Sequence, residues 1–171
     1  GLEGDIMAGL DRLMARVCAR LREAGRGARR LRLEAHRSDH ATEVVEVGLA
    51  RASDDPDRIR PVFALKIGGI DAGFGIDMLR LEAVQTEPLT PRRPAGHLDA
   101  AQRAMRTPAP EDAVADLIGR MGARIGLEAI TRRHPADSHI PEKTATVLAA
   151  AWSEPWGGDW PAAPAPRPLR L

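Results

Sequence analysis

The chain carries a single cysteine, Cys18, no tyrosine, and an aromatic fraction of only 3%. One thiol excludes an intrachain disulfide framework and a cysteine-based zinc site. It makes a reducing cytoplasm the expected compartment. With so few rings, the core must be built from Leu, Ile, Val, Met and Ala. No stretch approaches the roughly 20 apolar residues of a membrane-spanning helix, and the N-terminus lacks the basic-then-apolar form of a signal peptide. No membrane partner is expected. A charge excess is missing too: 25 Lys and Arg against 24 Asp and Glu leave a net charge of +1. The balance of the whole chain does not announce a nucleic-acid binder, so local charge has to decide. A length of 171 residues fits one globular domain, or one small domain with an appendage. The chain opens at Gly1 rather than Met, within a helix lead-in, and reads as a fragment.

What is present begins with a helix. Ile6, Leu10, Leu13, Met14, Val17 and Leu21 form one apolar stripe at a period of 3.6, with Asp5 near the start and Gly25 at the end. The segment after it alternates: Leu31, Leu33 and Ala35 on one face, Arg30, Arg32, Glu34 and His36 on the other. Period two predicts a half-buried strand. Ser38-Asp39-His40 is a turn, and Val45, Val47 and Leu49 continue inward on a second, antiparallel strand. Asp54-Asp55-Pro56 signals a helix start, although Pro61 leaves the start at either Pro56 or Pro61. Ile59, Val62, Phe63 and Ile67 supply its apolar face, and Gly68-Gly69 ends it. A loop with Gly73-Phe74-Gly75 leads to a third strand, with Leu79, Leu81 and Ala83 inward and Met78, Arg80 and Glu82 outward. The predicted fold class is α+β: an antiparallel sheet with helices gathered on one face and the other face open. A strand before Gly1 would complete a symmetrical βαββαβ unit.

Residues 88–108 hold Pro88, Pro91, Pro94 and Pro108 and read as a linker. A helix from about Pro110 to Ile125 follows, with Val114, Leu117, Ile118, Met121 and Ile125 as its expected inward stripe. Leu127–Ile130 is a candidate short strand. Because a lone amphipathic helix does not stay folded in water, this part either closes a small core with Leu127, Ile130, Val147 and Leu148 or depends on a partner, and dependence is the expectation. The boundaries are therefore 1–87 for the first domain, 88–108 for the linker, 109–151 for a small C-terminal module and 152–171 for a Pro- and Trp-rich tail.

The strongest chemical signal lies between Arg20 and Arg37, where seven arginines oppose two glutamates. Alternation sets Arg30, Arg32 and His36 on the open sheet face, and Arg80 joins them from the third strand. Such a face suits phosphate tracking. By charge alone a merely solvated arginine face explains it slightly better. The five histidines match no metal-ligand spacing. Cys18 has no identifiable base and reads as a small buried residue. No Walker loop or nucleophile elbow is present, and Gly73-Phe74-Gly75 is too short to cradle a nucleotide. No carboxylate pair suits two magnesium ions. No cofactor is expected. Trp152, Trp156 and Trp160 recur every four residues; packing of the tail explains them better than docking of a partner.

Residues 15–39 (ARVCARLREAGRGARRLRLEAHRSD), 45–59 (VEVGLARASDDPDRI) and 71–89 (DAGFGIDMLRLEAVQTEPL) resemble the little-finger domain of ImuB-type proteins, which are Y-family DNA polymerase-like proteins of bacterial damage-induced mutagenesis. Residues 117–144 (LIGRMGARIGLEAITRRHPADSHIPEKT), with Ser138, His139, Ile140, Pro141 and Glu142, and the closing RPLRL are similar to the family's C-terminal region. The resemblance implies a little-finger α+β domain whose open sheet lies along the major groove, in agreement with the basic face, and Arg29, Arg30, Arg32, His36, Arg37 and Arg80 of the arginine-rich segment and third strand are the expected DNA-binding residues, on primer-template of any sequence. It implies a non-catalytic part, since the palm carboxylates would lie before Gly1 and are usually regarded as lost in this family. An error-prone polymerase and a helper protein of the mutasome are the implied partners in SOS translesion synthesis. The family's Gln-Leu-x-Leu-type clamp-binding peptide has no clear match: at 88–102, Leu98 follows His97, and Gln102 stands between Ala101 and Arg103. The sliding clamp is therefore not carried over as a partner. Two alternatives stay open: the C-terminal part of an active Y-family polymerase, or an interaction module without DNA contact.

Overall fold

The structure, a computed structural model, describes residues 2–89, 110–138 and 140–161. Helix α1 (Leu2–Glu23) is followed by strands β1 (Arg26–Arg37) and β2 (Thr42–Ser53), helix α2 (Pro56–Ile67) and strand β3 (Ile76–Pro88). The three strands form an antiparallel sheet in the order β2-β1-β3. Register follows from side-chain alternation. Leu33 stands opposite Val45 and Leu81, and Arg32 stands opposite Glu46 and Glu82.

Burial agrees with the predicted faces. Leu31, Leu33, Val47 and Leu49 are buried beneath Ile6, Leu10, Met14, Ile59, Val62 and Phe63, and Val17, Val45, Leu79 and Leu81 pack partly against them. Each large aliphatic side chain taken out of water contributes about 1.5–3 kcal/mol. Cys18 sits inside this core at 1% exposure, completing the α1 stripe at 6, 10, 14, 18 and 21. Burial pushes its thiol pKa from 9.0 up to about 11. Helix α2 starts at Pro56 rather than Pro61: Asp55 caps it by accepting from the Asp57 amide at 3.0 Å. Pro61 is tolerated inside the helix with its ring at the exposed surface.

Helix α3 (Pro110–Ile125) packs on β2 and α2, yet with a different face from the one its apolar stripe predicts. Only Ile118 of that stripe is buried; Val114, Leu117, Met121 and Ile125 are 44–59% exposed. The inward face instead carries Asp112, Gly119 and Gly122. Asp112 is 4% exposed and accepts Arg51 at 2.9 Å, with Arg58 at 3.4 Å. Gly122 leaves the space that the Leu127 side chain fills, and the ion pairs fix the helix's rotation.

Leu127–Ile130 is not a strand. Leu127–Ala129 is a 3-10 turn, and a two-stranded antiparallel ribbon follows, β4 (Thr131–Pro135) with β5 (Ala145–Ala149). Leu127 joins Ile118, Ala150 and Ala151 in a second small core, against which Ala50 and Ile130 pack. Val147 and Leu148 stay 56% and 45% exposed rather than closing it. Leu127 is seated against Gly48. By alternation Gly48 and Ala50 lie on the same sheet face as Glu46, the face away from α1 and α2. The C-terminal module therefore covers one end of the face expected to be open. The linker residues 90–108 and the clamp-like segment around Leu98 and Gln102 lie outside the described residues.

Candidate nucleic-acid interface

The part of the outer sheet face that the described residues leave uncovered carries Arg30, Arg32, Glu34 and His36 from β1, Val44 and Glu46 from β2, and Met78, Arg80 and Glu82 from β3. Strand alternation sets them there, and the burial of the intervening residues in the core holds them there. Three arginines thus meet three glutamates: the face is charge-balanced rather than basic. The partners were legible in the period-two pattern, since Glu46 and Glu82 both fall in register with Arg32.

Four of the six expected DNA-binding residues lie on this face and differ in how far they are committed to partners. Arg30 is exposed and has no ion pair among the described residues. Arg80 is 61% exposed and stands 3.6 Å from Glu34 and 3.7 Å from Glu82, both loose pairings. Arg32 is committed further, with Nη2 at 2.6 Å and Nε at 2.7 Å from one Glu46 oxygen, a contact that pushes its pKa up. His36 lies 3.7 Å from Glu34 and hydrogen-bonds Thr42 through Nδ1 at 3.1 Å.

Two expected residues are not on this surface. Arg29 is 4% exposed. A register shift between Ala28 and Arg30 breaks the alternation of β1 there, and the C-terminal segment lies over Arg29. Its Nη2 donates to the Ala151 carbonyl at 2.6 Å, its Nε lies 3.0 Å from Glu87, and its guanidinium stacks on Trp152. Burial lowers its pKa, and Glu87 opposes that shift. Arg37 keeps only 13% side-chain exposure. Its donors are used by Asp39 at 2.6 Å and Asp71 at 2.7 Å, so it braces two loops instead of facing outward. The withdrawal of Arg29 rests on segments distant in the chain, whereas that of Arg37 joins a local partner, Asp39, to a distant one, Asp71.

Of the three tryptophans, Trp152 packs on the domain through Arg29, and all three stay partly exposed. Trp152, Trp156 and Trp160 are 43%, 52% and 53% exposed. Among the described residues, no helix is long and apolar enough to cross a membrane, and no cluster of His, Cys, Asp and Glu could hold a metal ion.

Comparison with known proteins gives a family to this arrangement. Residues 2–93 match the model of the impB/mucB/samB family C-terminal domain. The chain is 35% identical over 161 residues to Protein ImuB of Caulobacter vibrioides strain NA1000 / CB15N, covering 92% of this chain and 33% of that protein. The same values hold for Protein ImuB of C. vibrioides strain ATCC 19089 / CIP 103742 / CB 15. The chain thus spans about a third of the length of these relatives. No solved structure matches it. The helix-backed antiparallel sheet falls inside the matched span, and the chain belongs to the impB/mucB/samB family as an ImuB-type, Y-family-like C-terminal region.

Proposed function

We propose that this region is a non-catalytic, sequence-independent DNA-binding and partner-recruiting part of a Y-family polymerase-like protein in damage-induced translesion synthesis. The observation that carries the reading is the outer sheet face with Arg30 exposed and without an ion pair among the described residues, and Arg80 only loosely held. A guanidinium so placed exchanges a weak carboxylate contact for a phosphate at little loss, because exposed ion pairs contribute about 0–1 kcal/mol. Binding that rests on phosphates is insensitive to sequence and falls with salt. The family relationship supports the mutagenesis setting, which also fits a cytoplasmic protein.

The test is a titration of labelled primer-template at several salt concentrations with the double variant Arg30→Ala, Arg80→Ala. We expect weaker binding on every sequence and a log–log salt slope reduced by roughly two units, about one per lost phosphate contact. Unchanged affinity and slope would instead favour a module that binds proteins only. One observation favours that second reading: Arg32 and Arg37 already hold carboxylates.

A further inference from the structure

The loop between α2 and β3 carries a phenylalanine that the DNA-facing reading leaves unused. Phe74 is 93% exposed, and Phe63, the chain's other phenylalanine, is fully buried. An exposed ring on a slack loop would mean little. This loop is braced at both ends and across its middle. Ala72 is buried. The Asp71 carboxylate accepts from the Gly73 amide at 3.0 Å, and the Gly75 amide donates to the Ala72 carbonyl at 2.8 Å. The Ser38 amide of the β1–β2 turn donates to the Gly75 carbonyl at 3.1 Å. Arg37 ties Asp71 to Asp39 across the two loops. Gly73 has φ +50°, and a Cβ there would strike the Arg37 guanidinium, so the backbone path that lifts Phe74 into solvent needs a glycine.

We propose that Phe74 is the anchor of a protein–protein contact, taken up by a partner that offers an apolar socket ringed with basic side chains. The inference rests on the recruitment half of the function proposed above and gives it a place. The ring supplies a large, rigid apolar payload already held in position, which removes most of the ordering loss on association. The charge around it selects the partner class. The turn at 37–41, the loop before β3 and the first residues of β3 carry Asp39, Asp71 and Asp77 against one arginine, Arg37, which Asp39 and Asp71 share, with His40 beside them in the turn. A net negative rim repels a phosphate backbone and attracts Lys and Arg.

The experiment uses the full chain and its Phe74→Ala, Phe74→Leu and Asp77→Lys variants. The probes are the error-prone polymerase and the helper protein of the proposed pathway, each purified, with primer-template as a third. Because the ring is exposed, all three variants should keep the wild-type circular dichroism spectrum. We expect Phe74→Ala to weaken binding to one of the two proteins by roughly tenfold or more, and Phe74→Leu to weaken it less. Asp77→Lys should weaken it with a salt dependence, and primer-template affinity should not change. If the wild type binds a protein probe and Phe74→Ala binds it equally well, the proposal is overturned while recruitment stands. Binding of neither protein to the wild type would overturn recruitment and the proposal together. Loss of primer-template affinity alone would overturn it by assigning Phe74 to DNA.

Discussion

The Arg29 guanidinium lies 4.3 Å from the centroid of the Trp152 ring, joining the start of β1 to a turn more than a hundred residues later in the chain. The same side chain donates to the Ala151 carbonyl and pairs with Glu87. Arg132 adds hydrogen bonds to the Ala150 and Ser153 carbonyls. The turn Ala150–Trp152 is thus latched by Arg29 onto the three-stranded sheet and by Arg132 onto the β4–β5 ribbon.

Arg29→Ala should therefore destabilise the protein by about 2 kcal/mol, combining a lost charged hydrogen bond with a lost cation–π contact. Urea denaturation followed by circular dichroism measures it. A loss below about 0.5 kcal/mol would place the latch among ordinary surface contacts.

Asp112 fixes α3 to the sheet domain. Asp112→Ala removes the acceptor shared by Arg51 and Arg58, the latter only 20% exposed. We expect a cost of about 3 kcal/mol, with faster amide exchange across 113–125. By the same logic an isolated fragment from Pro108 to Leu171 should show little protection at 114–125, because β2 and α2 supply the cover of α3. Strong protection in that fragment would show that the C-terminal module is self-sufficient.

Two glycines of α3 should respond in opposite directions. At Gly119 a Cβ would lie 3.9 Å from the Ala50 amide nitrogen, an ordinary contact, so Gly119→Ala should stabilise by about 0.5–1 kcal/mol through helix propensity. At Gly122 a Cβ would clash with the Leu127 side chain and stand 3.2 Å from its Cα. Overpacking of this kind costs about 1–3 kcal/mol and outweighs the propensity gain. Melting curves of the two single variants decide it; equal shifts would refute the close packing of Leu127.

The brace beneath Phe74 should be sensitive to acid and insensitive to base. Hydrogen bonding by Arg37 holds the Asp39 carboxyl below its usual range. The Gly73 amide, and then Arg37, do the same for Asp71. A carboxyl whose folded pKa is depressed stabilises the fold fully above its unfolded value, near about 3.9, and loses that contribution as pH falls through the folded one. The Gly73 and Phe74 amide resonances should thus hold steady from neutral pH down to about 4 and shift only below it. Movement between pH 5 and 7 would contradict the arrangement.

Much of this was legible in the sequence, and the failures have physical causes. The sheet register followed from two-residue alternation, since a slip by one would have buried Arg32 and exposed Leu33. Stripe logic turned α3 the wrong way because a buried carboxylate held by two arginines, and the space Gly122 leaves for Leu127, outcompeted a larger apolar face, and neither enters a hydrophobic period. The candidate interface was half legible. Arg30 and Arg80 emerge on the outer face, but Arg29 and Arg37 are withdrawn by Trp152, Ala151 and Asp71, contacts that no local pattern encodes. Charge counting along β1 alone also overlooked Glu46 and Glu82 on the flanking strands.

The placement of the three tryptophans has a spectroscopic consequence. With no tyrosine in the chain, Trp152, Trp156 and Trp160 are its only strong absorbers near 280 nm, and all lie in one nine-residue span beyond the second core. Intrinsic fluorescence therefore reports the latched turn and its tail, and reaches the sheet only through the contact of Trp152 with Arg29. Emission and far-ultraviolet dichroism become two different gauges on one molecule, the first reading release of the turn from Arg29, the second reading loss of helices and strands.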